Sequence, residues 1–167
     1  MKHIIKTISG ALLAAVVFTA CNKERGPLTD IKAGIPVTVS NAIAFRPEPT
    51  VSTTLAPTDS IITITLVIPN NLGRTISAIS KVALSNSYTQ IQSTGTTGFY
   101  PYGTIELNGT SATFKTNIRE YYLNKALNPT TNPAPAANKE QAFRYYFKIT
   151  LDDGTILIPE SVRVLVL

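Results

Sequence analysis

The chain has few of the side chains on which most enzyme chemistry depends. It contains one cysteine, one histidine and no tryptophan among 167 residues. A single cysteine has no intramolecular disulfide partner. Zinc sites that combine several His and Cys side chains are therefore excluded.

A long hydrophobic run is also missing from the N-terminal segment. Residues 8–18 (ISGALLAAVVF) are apolar, but a membrane-spanning helix needs about 20 such residues. Lys2 and Lys6 form a basic head before this run, and small residues follow it. This pattern is typical of a secretory signal. We therefore predict that residues 1–20 are a signal peptide that is removed.

Residues 18–21 (FTAC) are similar to the bacterial lipobox, with Phe18 in place of the usual leucine. In that motif the cysteine is acylated and becomes the first residue, which would explain a lone exported thiol. Acyl chains such as palmitate hold a protein on a membrane, at about 0.8 kcal/mol per buried CH₂. We predict lipidation at Cys21 and a location outside the cytoplasm; the alternative is a plain secretory signal with a chance cysteine.

Removal of residues 1–20 also removes His3, the single histidine. Without His3 the mature chain has no imidazole for a serine triad or for general base catalysis. The only adjacent carboxylates, Asp152 and Asp153, lie where a hairpin needs turn residues. A calcium site that adds Asp59 would need more oxygen ligands from separate loops. We expect no catalytic residue, metal or cofactor, with an enzyme as a remote alternative.

The charges do not favour nucleic acid as a partner. The full chain has 15 Lys and Arg against 10 Asp and Glu, and the basic residues are scattered singly. No run of them could follow a phosphate backbone.

Residues 21–34 are polar around Gly26 and Pro27, which predicts a flexible tether between the lipid and a domain at residues 35–167.

The domain has the sequence pattern of an all-β protein. Runs rich in Val, Ile, Thr, Tyr and Phe alternate with Pro, Gly and Asn clusters. We predict an immunoglobulin-like β-sandwich of about seven or eight strands with one short helix at residues 117–127. The predicted strands cover residues 36–45, 60–68, 76–84, 88–93, 102–107, 111–116, 142–151 and 155–167.

Two of these strands carry detailed expectations. In residues 60–68 the side chains of Ile62, Ile64, Leu66 and Ile68 alternate with polar ones, which predicts one buried face. The last two strands should form a hairpin with a two-residue turn at residues 153–154. Its buried faces would carry Phe143, Tyr145, Phe147, Ile149 and Leu151 on one strand and Val162, Val164 and Val166 on the other. Residues 128–140, with three prolines, should form an exposed loop.

Aromatic side chains are the remaining binding candidates. Phe99, Tyr100 and Tyr102 lie in a segment bounded by Gly98 and Gly103, and Tyr146 should face away from the core. Exposed rings stack on apolar faces, including those of sugars. The alternative is that the rings of residues 99–102 fill the end of the sandwich. The absence of tryptophan weakens a sugar platform.

Four segments carry a resemblance to a known group: residues 18–21, the polar residues 22–24, IPVTVSNA at 35–42 and the closing FKITLDDGTILIPESVRVLVL. Together they resemble small lipoproteins of Bacteroidetes, many of which are encoded beside outer-membrane machinery for glycan uptake. The resemblance implies a module of the outer membrane and cell surface, with Lys23 and Glu24 as an export motif. Ser60, in Asp59-Ser60-Ile61, matches the form of that group's O-glycosylation sites.

These observations support a non-enzymatic, lipid-anchored module that binds glycan or a neighbouring outer-membrane complex. A second hypothesis is a structural or adhesive, pilus-like subunit, in which a strand of one chain completes the sheet of the next. The apolar run at residues 162–167 would suit such a strand, but it would equally suit a final core strand.

Overall fold

The computed structural model describes residues 34–55, 60–95, 99–124, 137–141 and 144–167. The predicted signal peptide, Cys21 and nearly all of the tether lie outside these residues. The described part of the chain is an all-β sandwich, as predicted, with short helices. Its strands are β1 (Thr38–Val39), β2 (Thr50–Thr53), β3 (Ile61–Val67), β4 (Ile76–Ser85), β5 (Thr104–Asn108), β6 (Ser111–Asn117), β7 (Lys139–Glu140), β8 (Arg144–Leu151), β9 (Ile156–Leu157) and β10 (Arg163–Val166). Its helices are α1 (Thr89–Gln92), α2 (Ile118–Asn124) and a 3-10 turn at Asn70–Leu72.

The strand order is that of an immunoglobulin-like sandwich. One sheet has the order β1-β3-β6-β5 and is antiparallel throughout. The opposite layer contains β4-β8-β9 and β2-β10-β7, which a bridge between Tyr145 and Val162 connects. Strand β2 pairs with β10 in parallel, so the first strand of the fold divides between the two layers. This corresponds to the four-plus-three arrangement of constant-type immunoglobulin domains.

The core lies between the layers, on the faces that the sequence pattern predicts. Ile62, Ile64 and Leu66 of β3 are fully buried and belong to one cluster with side chains of β8 and β10. Thr63 and Thr65, on the opposite face of β3, are partly exposed. The remaining predicted core positions in the described residues are also buried, namely Ile68, Tyr145, Phe147, Ile149, Leu151, Val162, Val164 and Val166.

The C-terminal hairpin is confirmed, but its turn has three residues instead of two. The second strand, predicted at residues 155–167, is divided into β9, which pairs with β8, and β10, which pairs with β2 and β7. The amide of Leu151 donates to Thr155 O at 2.9 Å, and the amide of Gly154 donates to Leu151 O at 3.0 Å. Gly154 has φ 83°, a conformation that glycine adopts at little cost. Asp153 accepts the amide of Thr155 and lies 3.1 Å from Arg74 Nη2. The adjacent carboxylates thus have the turn role predicted for them.

Residues 88–93 were predicted as a strand, and this prediction is wrong because they contain α1. The reason is a contact from outside the segment. The buried ammonium of Lys81 donates to the carbonyls of Gln90, Ser93 and Gly95, at 2.7 to 3.2 Å, and to the Ser93 hydroxyl. These carbonyls lie at the C-terminal end of α1, where backbone acceptors lack helical partners. Burial lowers the pKa of Lys81 from its usual value.

The first predicted strand, at residues 36–45, is much shorter in the structure. Only Thr38–Val39 belongs to a strand, and the Asn41 side chain then replaces the backbone ladder. Its amide nitrogen donates to Thr63 O at 2.7 Å, and its amide oxygen accepts the amide of Thr65 at 3.0 Å. The backbone can therefore leave the first sheet at this point and re-enter the opposite layer as β2, a strand that was not predicted.

The helix expected at residues 117–127 is present as α2, which is described as far as Asn124. Asn117 caps it, because its side-chain oxygen accepts the amide of Glu120 at 2.8 Å. The exposed loop predicted at residues 128–140 is wrong at its end, because Lys139–Glu140 forms β7 and pairs with β10. Residues 128–136 and Phe143 of the hairpin lie outside the described residues. No helix in the described part of the chain has the length and hydropathy to cross a membrane.

Candidate binding site

The predicted aromatic cluster at residues 99–102 does not form an exposed platform. Phe99 is 44% exposed, as expected, and Tyr102 is partly buried. Tyr100 is only 2% exposed, so its predicted contact with solvent is wrong. Its backbone amide donates to Val82 O at 2.8 Å, which attaches this segment to the edge of β4 and turns the ring into the core. The alternative, in which these rings fill the sandwich, holds for Tyr100.

A buried chain of hydrogen bonds fixes the Tyr100 ring. The Thr116 hydroxyl donates to Glu120 Oε2 at 2.7 Å, so Tyr100 must donate the 2.6 Å bond that joins the two hydroxyl groups. The ring also lies edge-on to Tyr145, with centroids 5.9 Å apart. Burial raises the pKa of Tyr100 well above its usual value. This phenol has a structural role and cannot stack on a ligand.

Tyr146 does point away from the main core, but it is buried and not exposed as expected. It belongs to a second apolar cluster with Ala83 and Ile91, because α1 covers this part of the outer face. The Tyr88 ring packs against it edge-on, with centroids 4.8 Å apart. With both Tyr100 and Tyr146 buried, the structure does not bring the predicted aromatic candidates together at the surface.

Of the predicted modification sites, Ser60 lies among the described residues. Cys21 and Asp59 lie outside the described residues. Ser60 is buried, and its backbone oxygen accepts the amide of Ile118 at 3.2 Å. A glycan needs a hydroxyl that an enzyme can reach, so the burial of Ser60 disfavours it as an acceptor in the folded domain.

A different segment exposes large apolar side chains, the loop at residues 43–47 between β1 and β2. Its sequence is IAFRP, and all five residues are exposed, with Ile43 at 56% and Phe45 at 61%. Two backbone hydrogen bonds close its base. The amide of Ile43 donates to Thr50 O, and the amide of Thr50 donates to Ala44 O, both at 2.8 Å.

Glu48 fixes the returning arm of the 43–47 loop. One of its carboxylate oxygens accepts the hydroxyl of Ser161 at 2.6 Å, and the other accepts Nε of Arg144. Ser161 is fully buried, and this hydrogen bond is partly screened from solvent. The hydrogen bond to Glu48 raises the pKa of Arg144, so the guanidinium stays charged. The amide of Arg163 also donates to Pro49 O at 2.9 Å.

The 43–47 loop therefore combines a fixed base with an apolar tip. A partner that binds a preorganised loop does not have to order it, which removes part of the entropic cost of association. Aromatic side chains are frequent among the residues that dominate protein interfaces. The loop can act as an anchor that inserts Ile43 and Phe45 into an apolar recess of a partner.

This loop was not predicted from the sequence, because Phe45 is the last residue of the strand predicted at residues 36–45. A signal was present in Pro47 and Pro49, which surround Glu48. Proline disfavours helix and interrupts a strand ladder, and it restricts the residue before it. Two prolines at this spacing mark a break in the sheet, which places the preceding apolar residues in a loop.

The chain matches no known protein-family model and no curated protein sequence. Among the residues that the structure describes, no group of three or more His, Cys, Asp or Glu side chains is placed to hold a metal ion.

Proposed function

We propose that the mature protein is a non-enzymatic, lipid-anchored module of the cell envelope that binds a neighbouring outer-membrane protein through the 43–47 loop. The observation that carries the proposal is the exposure of Ile43 and Phe45 above a base that Glu48, Arg144 and Ser161 hold in place. The lipid on Cys21 would keep this loop within reach of membrane partners.

The exposed groups favour a protein partner over a glycan. Sugar binding by stacking needs ring faces that are open to solvent, and two of the four aromatic candidates are buried. The 43–47 loop has one aromatic ring beside an aliphatic side chain, and such a pair is suited to an apolar recess. Glycan binding by Phe99 and Tyr102 therefore becomes an outcome of the test below.

The hypothesis of a pilus-like subunit was based on the apolar run at residues 162–167. In the structure Val162, Val164 and Val166 are fully buried in the core of their own domain. Strand β10 also pairs with β2 on one side and with β7 on the other. Because β10 already has a partner strand on each edge, this run is not free to complete the sheet of another chain.

The lipid anchor has its own test. We expect that cells that produce the full chain incorporate labelled palmitate into it and that Cys21→Ala abolishes the label, because the thiol is the acyl acceptor. The mutant should remain as an uncleaved or mislocalised precursor. Equal labelling of the unsubstituted chain and of Cys21→Ala would overturn the lipid anchor at Cys21.

The partner contact is tested by site-specific photo-crosslinking of the full chain in intact cells. A photoreactive residue in place of Phe45 should give a discrete product with one envelope protein. Ile156, which is 44% exposed, is the matched control position and should not give that product. Phe45→Ala, combined with a photoreactive residue in place of Ile43, should weaken the product.

Two outcomes would overturn the protein-binding role. One is the same set of products from positions 45 and 156, which would indicate random collisions. The other is the absence of a protein product together with glycan-array binding that Phe99→Ala removes. The second outcome would return the function to glycan recognition.

A further inference from the structure

Strand β5 forms an open edge of the first sheet. It pairs with β6 and, among the strands that the structure describes, with no other. All five of its residues are exposed. The other terminal strand of this sheet, β1, has only two residues, so β5 is the longer free edge.

The exposed apolar side chains of β5 lie on the side of the sheet that faces the core. Ile105 is opposite Phe114 and Leu107 is opposite Ala112, and both partners on β6 are buried. Residues directly opposite in a ladder share a face. Ile105 and Leu107 are nevertheless 43% and 46% exposed. The apolar face of the sheet thus extends to the edge, where these two side chains are only partly covered.

The hairpin geometry indicates which backbone groups of β5 are free. Asn108 pairs with Ser111 across a two-residue turn at residues 109–110, so this pair is the hydrogen-bonded one next to the turn. Hydrogen-bonded pairs alternate along an antiparallel ladder. Thr104, Glu106 and Asn108 therefore bond to β6, and the N–H and C=O groups of Ile105 and Leu107 point outward. Such an edge accepts another extended strand.

We propose that β5 pairs antiparallel with β5 of a second copy of the chain, with the two-fold axis at Ile105. In this register Ile105 lies opposite Ile105 of the second copy, and Glu106 lies opposite Thr104 of the second copy. The two β1-β3-β6-β5 sheets become one sheet of eight strands. Because the same surface is used by both copies, the contact closes as a dimer and does not propagate.

The charges on β5 and β6 select this register. Glu106 is the only charged residue of β5, and its carboxylate lies 2.8 Å from Lys115 Nζ. A shift of one residue in the position of the two-fold axis, to Glu106, would place the two carboxylates opposite each other, which is unfavourable. With the axis at Ile105, Thr104 separates Lys115 on β6 from Glu106 of the second copy. Lys115 thus lies in the same cross-strand row as Glu106 of the second copy, while Glu106 of its own copy is its diagonal neighbour.

The register is tested with Ile105→Cys in the full chain, purified in detergent and oxidised. Residues opposite each other in a hydrogen-bonded pair have Cα atoms about 5.5 Å apart, which suits a disulfide. We expect a disulfide-linked dimer. Glu106→Cys should give far less of it, because position 106 is opposite position 104. The unsubstituted chain under the same conditions reports any dimer that forms through Cys21.

Sedimentation velocity of the same detergent-solubilised chain provides the second measurement. The unsubstituted protein should be dimeric, and Ile105→Lys should be monomeric because a charge at the pairing edge opposes strand addition. Ile156→Lys, at a position of matched exposure on β9, should remain dimeric. A monomeric unsubstituted protein at every concentration, or equal cross-linking from positions 105 and 106, would overturn the proposal. A cross-link from position 105 to a different protein alone would do the same.

Discussion

Two loops of this protein place an aromatic residue close before a proline, and the two aromatic side chains differ in their exposure to solvent. Phe45 precedes Arg46 and Pro47 and projects into solvent, whereas Tyr100 precedes Pro101 and is buried. The difference lies in the backbone. The amide of Tyr100 extends the β4 ladder, so its ring enters the core, whereas the 43–47 loop is attached only at its base. The hydrogen bonds of the backbone therefore determine whether each aromatic side chain is exposed, and the residue types in the loop do not.

The largest expected effect comes from Tyr100→Ala. Truncation of a buried aromatic ring costs about 3 to 5 kcal/mol, and the loss of its hydroxyl also leaves Thr116 with one partner fewer. Phe99→Ala, at the exposed neighbouring position, should cost much less, within about 1 kcal/mol. Urea unfolding of the two variants provides the measurement. Similar losses would mean that these two rings do not differ in burial.

Gly103→Ala should give the next largest effect, because Gly103 ends the segment that buries Tyr100. It has φ 93°, and an added Cβ would lie 2.5 Å from Lys115 O and 2.8 Å from a ring carbon of Phe114. Strained backbone and overpacking together predict a loss of about 2 to 4 kcal/mol. Gly109→Ala is the control, since Gly109 has φ 58° and nothing within 4 Å of an added Cβ. Thermal unfolding should place Gly103→Ala clearly below Gly109→Ala.

Glu48→Gln should loosen the 43–47 loop and cost about 1 to 2 kcal/mol. It replaces hydrogen bonds to a charged carboxylate with weaker ones and leaves Arg144 without its counter-ion. Hydrogen exchange at the Thr50 amide, which bonds to Ala44 O at the loop base, should accelerate. Glu160→Gln, at an exposed position, should leave this exchange rate unchanged. If Glu48→Gln also leaves the rate unchanged, the carboxylate does not hold the loop.

The smallest effect is a dependence of stability on pH, and it comes from the ion pair of Arg163 and Glu140. The hydrogen bond from Arg163 lowers the pKa of Glu140 below its usual 4.5. The ionised carboxylate therefore stabilises the fold above pH 4.5, and this contribution is lost as the pH falls through the lowered pKa. Glu140→Gln should flatten the dependence of the free energy of unfolding on pH in that acid range. An unchanged slope would contradict the assignment.

The parts of the fold that the sequence predicts are those that a local pattern determines. The alternation in β3 places Ile62, Ile64 and Leu66 inside, and Gly154 marks the C-terminal turn. The burial of Tyr100 and Tyr146 could not be predicted, because it depends on β4 and α1, which are distant in sequence or were assigned incorrectly. The 43–47 loop was missed for a related reason, since Asn41 replaces the backbone ladder by a side-chain contact.

Lys81, whose ammonium group contacts the C-terminal end of α1, should make the stability of this helix largely insensitive to ionic strength. Lys81 supplies a positive charge from within the chain, surrounded by four oxygen acceptors and almost out of contact with water. Salt screens exposed charges strongly and buried ones much less. The exposed ion pair of Arg74 and Asp153 should therefore weaken as ionic strength rises. The contacts between Lys81 and α1, the helix that covers Tyr146, should change little under the same conditions.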